Sequence, residues 1–317
     1  DSGALELALW NFLGARGVDV LAWESFGMDW RNDILQELQL PNVNEIVADY
    51  GELPNLSDVN FDNDVVFVWN GTTSGVRVPN SDWIPSDRSG LTICDATSAV
   101  FAYELDWSKL DVVTWSWQKA LGSEAGFGML LLSPRAVQRL KEYKAPRPLP
   151  KIFRIKKGDG LNEGIFKGLT INTPSMIAVE DCLDALNWSR SLGGIEAMIN
   201  RSKMNYDVLN GWVIDSPWAE FLASDPNIRS TTSMTLKVVD PWFVSLSSDL
   251  QSDFIVNLCN RLDKENVAKD IKYYRSAPPG LRIWGGATIE SSDIETLTEW
   301  LDWAFEIEKE EYKKKAA

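Results

Sequence analysis

Short runs of buried-type residues, each closed by a small or polar turn, recur through the first half of the chain. Residues 18–23 (VDVLAW), 45–49 (EIVAD), 64–69 (DVVFVW), 91–94 (LTIC), 112–115 (VVTW) and 127–132 (FGMLLL) have the length and the β-branched or aromatic content of strands buried on both faces. Between them the apolar spacing turns helical. Leu5, Ala8, Leu9, Phe12 and Leu13 form one stripe, preceded by the capping residues Asp1 and Ser2, and 29–40 reads as a second helix entered through a turn at 24–27. Buried strands alternating with helices predict an α/β fold, a mostly parallel sheet with helices on its faces, in which ligands collect at the carboxyl ends of strands. Phe26, Thr72, Asp95 and Lys119 all fall at such ends.

The pattern changes after residue 134. Prolines at 146–150 and a basic, glycine-containing run at 156–160 mark a loop. A long helical pattern over 176–214, broken at Gly193-Gly194, then carries the chain into a second, smaller unit. Its predicted order is a strand at 233–239, a helix at 250–264, strands near 267–273 and 281–285, and a helix at 292–309. The expected division is a large domain over 1–195 and a small α+β domain over 196–317.

Composition narrows the function. With 31 basic against 46 acidic residues the net charge is −15, the wrong sign for a nucleic-acid binder. No apolar run reaches the roughly 20 residues that span a bilayer, so the reading is a cytoplasmic protein without a membrane partner. Cys94, Cys182 and Cys259 are far apart and set in apolar surroundings, which suggests buried thiols rather than disulfides or a metal centre. The chain has no histidine. An enzyme built from it must move protons with another group, and a lysine is the natural candidate.

Lys119 is that candidate. It lies in the glycine-containing turn of DVVTWSWQKALGSEAGFGMLLLSP (residues 111–134), just past a strand end and near Trp115, Trp117 and Phe127. Partial desolvation there lowers an amine's pKa and frees it to attack a carbonyl, although a lone lysine in a hairpin is more often simply solvated. The run TWSWQKALG, followed by GFGMLLLSPRAVQRL, resembles the active-site segment of the phosphoserine aminotransferase family, fold-type-I enzymes that use pyridoxal 5′-phosphate. The likeness extends from DSGALELALW through DATSAVFA and NTPSMIAVED to GLRIWGGATIE, nearly the whole chain.

What the resemblance implies can be stated residue by residue. Lys119 carries the cofactor as a Schiff base, and Asp95, 24 residues earlier, pairs with the pyridinium nitrogen. Phe26 stacks on the ring and Thr72 stands beside its phenolic oxygen. Ser2, Gly3, Ala4 and Gln118 hold the phosphate, while Asn172 and Thr173 reach the cofactor of a partner subunit, which implies a homodimer with shared active sites. Arg282 binds the substrate α-carboxylate. From the residues alone the alternatives stay open: Asp95 and Ser2 also suit helix caps, Phe26 a core, Thr72 a backbone-satisfying turn and Arg282 a surface ion pair. The resemblance further implies a seven-stranded sheet, and an additional N-terminal segment with a His-Arg pair for the substrate phosphate, so that the chain reads as an N-terminally truncated member.

The implied reaction exchanges the amino group between O-phosphoserine with 2-oxoglutarate and 3-phosphohydroxypyruvate with glutamate, in serine and possibly pyridoxine biosynthesis. Two rivals stand beside it. Another fold-type-I enzyme of the same cofactor would share the motifs, but a desulfurase would want a cysteine in a mobile Gly/Ser-rich loop, and none is there. A non-catalytic homologue would be free to lose Lys119, Asp95 or Arg282, and all three are present.

Overall fold

The computed structural model describes residues 2–316. The proposed capping residue Asp1 lies outside them. Helix α1 (Ser2–Phe12) buries Leu5, Ala8, Leu9 and Phe12, the stripe read from the sequence. Strand β1 (Val18–Ala22) is buried at every position, and α2 (Ser25–Asn32) follows at once. This corrects the expected turn at 24–27. Glu24 acts as the N-cap, its carboxylate accepting from the Gly27 amide at 2.8 Å, so helix begins four residues earlier than predicted and Phe26 sits in its first turn. A π-helical turn, Asp33–Glu37, ends it.

Strands β2 (Val43–Val47), β3 (Asp64–Val68), β4 (Thr92–Asp95), β5 (Val112–Ser116) and β6 (Gly128–Leu132) complete the large sheet in the order β2-β1-β3-β4-β5-β6. All neighbours are parallel except β5 and β6, whose residues pair antiparallel from Val112 with Leu132 to Ser116 with Gly128. Among the described residues the sheet has six strands, not the expected seven. Helix α3 (Pro134–Glu142) packs back on it, capped by Ser133 and anchored by Arg139, whose guanidinium donates to both oxygens of the buried Asp64 at 2.8 and 3.0 Å.

The 144–175 region is mostly irregular, with a two-residue hairpin, β7 (Lys156–Lys157) and β8 (Gly160–Leu161). Helices α4 (Met176–Leu192) and α5 (Ile195–Asp215) divide where the sequence places the break. Gly193 takes the left-handed C-terminal position at φ 115°. A three-stranded antiparallel sheet follows, ordered β11-β10-β9 from β9 (Ala219–Phe221), β10 (Ser233–Val238) and β11 (Gly280–Trp284). Helices α6 (Pro241–Val244), α7 (Ser248–Lys264) and α8 (Ser291–Ala316) accompany it. The three-residue β9 was not foreseen. The expected strand near 267–273 is instead a connecting segment that meets β11 through an isolated bridge, Lys272 to Leu281.

Two large cores result. One surrounds the six-stranded sheet with Phe12, Trp23, Phe67 and Trp69, and the other joins Leu209, Trp218, Phe254 and Phe305 around the small sheet. A third, smaller cluster of Trp117, Leu121, Cys182, Met198 and Ala287 lies between the Lys119 turn and α4, α5 and the loop after β11. Cys94 and Cys182 are buried and Cys259 half-buried, all free thiols. Among the described residues no helix is long and apolar enough to cross a membrane.

Candidate active site

Four parallel-strand ends and the start of α1 meet at one edge of the large sheet. The cavity there, about 130 Å³, is lined by Ser2, Phe26, Thr72, Asp95, Gln118 and Lys119, and by five residues the sequence did not single out: Trp30, Val68, Asn70, Thr97 and Ser98. Thus six predicted residues share one cavity although they come from segments up to 117 residues apart. Gly3 and Ala4 lie beside it in the first turn of α1 without lining it.

Asp95 is the most constrained member. It is 5% exposed, and its oxygens accept from the Trp30 indole at 3.1 Å, the Thr97 amide at 3.0 Å and the Thr97 hydroxyl at 2.5 Å. Burial pushes its pKa above the ordinary carboxylate range, against the pull of these donors. Such a carboxylate is suited to a cationic N–H brought opposite it. Trp30 stands one helical turn after Phe26, so α2 supplies both a cavity-wall ring and a hydrogen bond to the acid.

The same helix is set by Glu24, 2% exposed. Its second oxygen accepts from the Thr73 amide at 3.3 Å and hydroxyl at 2.9 Å, which ties α2 to the loop bearing Thr72. Burial raises Glu24 to about 7, with a further push from the nearby Asp95. Thr73 continues to Tyr50, 3.2 Å away, and Tyr50 to Ser25 and Ser276 at 2.7 and 3.0 Å, so a chain of hydroxyls links this network to the segment before β11.

Lys119 follows β5 by three residues in a turn closed by the Gly122 amide donating to its carbonyl at 3.0 Å. Gly122 is required there. Its φ is +66°, and a Cβ would stand 2.6 Å from the Thr288 methyl. Burial lowers the Lys119 pKa, Arg282 lowers it further, and Asp95 and Asp270 oppose both. The aromatic face beneath its ammonium is Trp284 at 5.9 Å; Trp117 stacks on Phe127 and Trp115 packs edge-on to Phe101. Gln118 keeps a buried side-chain oxygen with no hydrogen-bond partner among the described residues, so its amide is uncommitted.

A second cavity, about 450 Å³, lies on the other side of Lys119. Gln118 and Lys119 line both; the second adds Asp270, Arg282 and Trp284. Arg282 therefore does not touch the first cavity but faces the same lysine. Asn172 and Thr173 line neither cavity and are exposed. Above Phe26 the guanidinium of Arg275 lies 4.2 Å from the ring centre and pairs with Asp29, while Tyr274 stacks at 6.4 Å. Nothing in the sequence singled out Arg275, Asp270 or Trp284, whose placement depends on how the connecting segment folds over the sheet edge.

A buried acid, a lysine of lowered pKa and an arginine across a second cavity gather at the carboxyl edge of a parallel sheet, within the α/β architecture of the fold-type-I aminotransferases. The whole fold agrees. A phosphoserine aminotransferase structure from Cytophaga hutchinsonii superposes with a TM-score of 0.76 at 17% identity, over 95% of this chain and 80% of that one. A ureidoglycine–glyoxylate aminotransferase structure from Bacillus subtilis does so at 0.76 and 14%, over 97% and 78%. No family model matches the chain. In sequence, the phosphoserine aminotransferase of Methanosarcina mazei is 54% identical over 309 residues, 98% of this chain and 81% of that protein. The chain belongs to the phosphoserine aminotransferase family.

Proposed function

We propose that this chain is a pyridoxal-phosphate-dependent phosphoserine transaminase, working in the cytoplasm as a homodimer with shared sites. The observation that carries the proposal is Lys119, which lines both cavities, with Asp95 in one and Arg282 in the other. When bound, pyridoxal phosphate supplies an aldehyde that takes up the amino group and a ring that accepts the electrons left as the substrate α-proton departs.

The chain's own residues are assigned around that chemistry. Asp95 would hold a proton on the ring nitrogen by its charge, and Trp30 and Thr97 fix its carboxylate. Phe26 and Thr72, which line the same cavity, would flank the ring. Ser2, at the amino end of α1 with Gly3 and Ala4 in the same turn, and Gln118, through the N–H2 end of its side-chain amide, would suit the phosphate. Lys119, neutral more readily than an exposed lysine, would hold the cofactor, and its freed Nζ would carry the α-proton. Arg282 grips the α-carboxylate with its planar fork.

The large domain would end at 195 and the small one begin at 196, with α5 shared: Met198 packs in the central cluster and Leu209 in the small-sheet core. The dimer is supported by an exposed apolar stretch, Ile165, Phe166, Leu169, Ile171, Met176 and Ile177, that brackets Asn172 and Thr173. Two measurements test the reading. The purified protein should convert O-phosphoserine and 2-oxoglutarate to glutamate only with pyridoxal phosphate, and Lys119→Ala should be inactive. Mixing inactive Lys119→Ala with an Asn172→Ala/Thr173→Ala variant should restore activity in hybrid dimers; absence of complementation, or a monomer by sedimentation, removes the shared-site claim.

A further inference from the structure

Arg282 is not idle in this structure. Its Nη2 donates to Asp270 Oδ2 at 3.1 Å, inside the cavity it shares with Lys119. The two partners are held very differently. Arg282 lies on β11 between Leu281 and Ile283, each 1% exposed, its guanidinium 5.2 Å from the Tyr274 ring and its side chain 15% exposed. The Asp270 side chain is 82% exposed. Its backbone is anchored independently, because the Arg282 amide donates to the next carbonyl, Ile271, at 2.8 Å. The arginine thus keeps its place without the aspartate, and the aspartate can turn into solvent without moving the segment.

We infer that Asp270 is an internal stand-in for the substrate carboxylate, pairing with Arg282 until an incoming ligand takes its place. This rests on the reading of Arg282 as the carboxylate clamp. Asp270 already places a carboxylate against Nη2 inside the cavity where a ligand carboxylate would meet the guanidinium, and two carboxylates side by side on one guanidinium repel each other, so the two oppose each other there. Arg282 lowers the Lys119 pKa and Asp270 raises it, and a substrate carboxylate arriving as Asp270 leaves supplies the same sign of charge. Asp293 lines the same cavity, but among the described residues no hydrogen bond or ion pair joins it to Arg282. The backbone of Asp270 is left-handed, φ +54°, a conformation that aspartate, asparagine and glycine accept more readily than other residues.

That backbone dictates the test. Asp270→Asn and Asp270→Gly both remove the charge without straining the chain. In the holoenzyme, each should bind maleate, an unreactive dicarboxylate, about two- to fivefold more tightly by calorimetry, the scale of an exposed ion pair, and lower the KM for glutamate by a similar factor. Unchanged affinity in both variants shows that Asp270 does not compete. Weaker binding shows that it orients Arg282 instead, and either result overturns the inference. Arg282→Ala separates the two readings: loss of maleate binding upholds the clamp whatever Asp270 does, whereas retained binding removes the clamp and the stand-in with it.

Discussion

Glu24 carries a consequence for stability that can be worked out in advance. Its carboxyl titrates near 7 in the folded protein and near 4.5 in an unfolded chain, so between those values the native state binds more protons than the unfolded one. Stability must therefore fall as pH rises through the window from 4.5 to 7 and level off above it. The drop between 4.5 and about 7 is roughly 3 kcal/mol, at about 1.36 kcal/mol for each pH unit between the two values. Glu24→Gln abolishes the titration. It also gives up part of the bonding to Gly27 and Thr73, a pH-independent offset of about 1 to 2 kcal/mol. The diagnostic is thus the change in the difference with pH, not its sign at one pH. At about 2.1 cal/mol/K per residue, 317 residues give an unfolding entropy of about 0.7 kcal/mol/K, and 3 kcal/mol becomes about 5 °C. Calorimetric melts of both proteins from pH 4.5 to 8 should show the wild type losing about 5 °C relative to Glu24→Gln. Asp33, pushed up to about 6 by burial and its acidic neighbours, titrates in the same window but equally in both proteins. Parallel Tm curves across this range would refute the reasoning, because a buried carboxylate held this way cannot ionise without cost.

Two further perturbations bear on the site. Asp95→Asn keeps the shape and should melt within a few degrees of the wild type, yet transaminate about 10² to 10³ times more slowly, since the amide cannot hold the ring proton; turnover within a few-fold of normal argues against the pairing. Gly122→Ala forces a left-handed alanine against Thr288 and should cost about 1 to 3 kcal/mol, with weaker cofactor binding by spectral titration; a fully stable, tightly binding variant means the Lys119 turn tolerates the shift.

How far the chain could be read without coordinates depended on where each feature stores its information. Strands such as β1 and β3 announce themselves because every position is buried, and Asp95, Lys119 and Phe26 follow from lying at their ends. The start of α2 was misplaced because its cap is a glutamate and its third residue a glycine, a pairing that looks like a turn until the Thr73 loop folds over it. The 267–273 run has strand-like composition, but Asn266 and Asp270 take left-handed backbones, so only one bridge to β11 forms. Asp270, Arg275 and Trp284 owe their positions to that segment and to α5, whose Asn205 donates to the Gly285 carbonyl at 3.1 Å and the Ile289 carbonyl at 2.9 Å; no local pattern encodes those contacts.

One lysine, Lys119, joins the two cavities. Borohydride reduction of the holoprotein followed by peptide mapping tests it most directly. A single pyridoxyl group is expected, on Lys119, in the peptide running from β5 into the turn before β6, and none when Lys119 is replaced by alanine. A pyridoxyl group on any other lysine, or a reduced holoprotein with Lys119 unmodified, would contradict it.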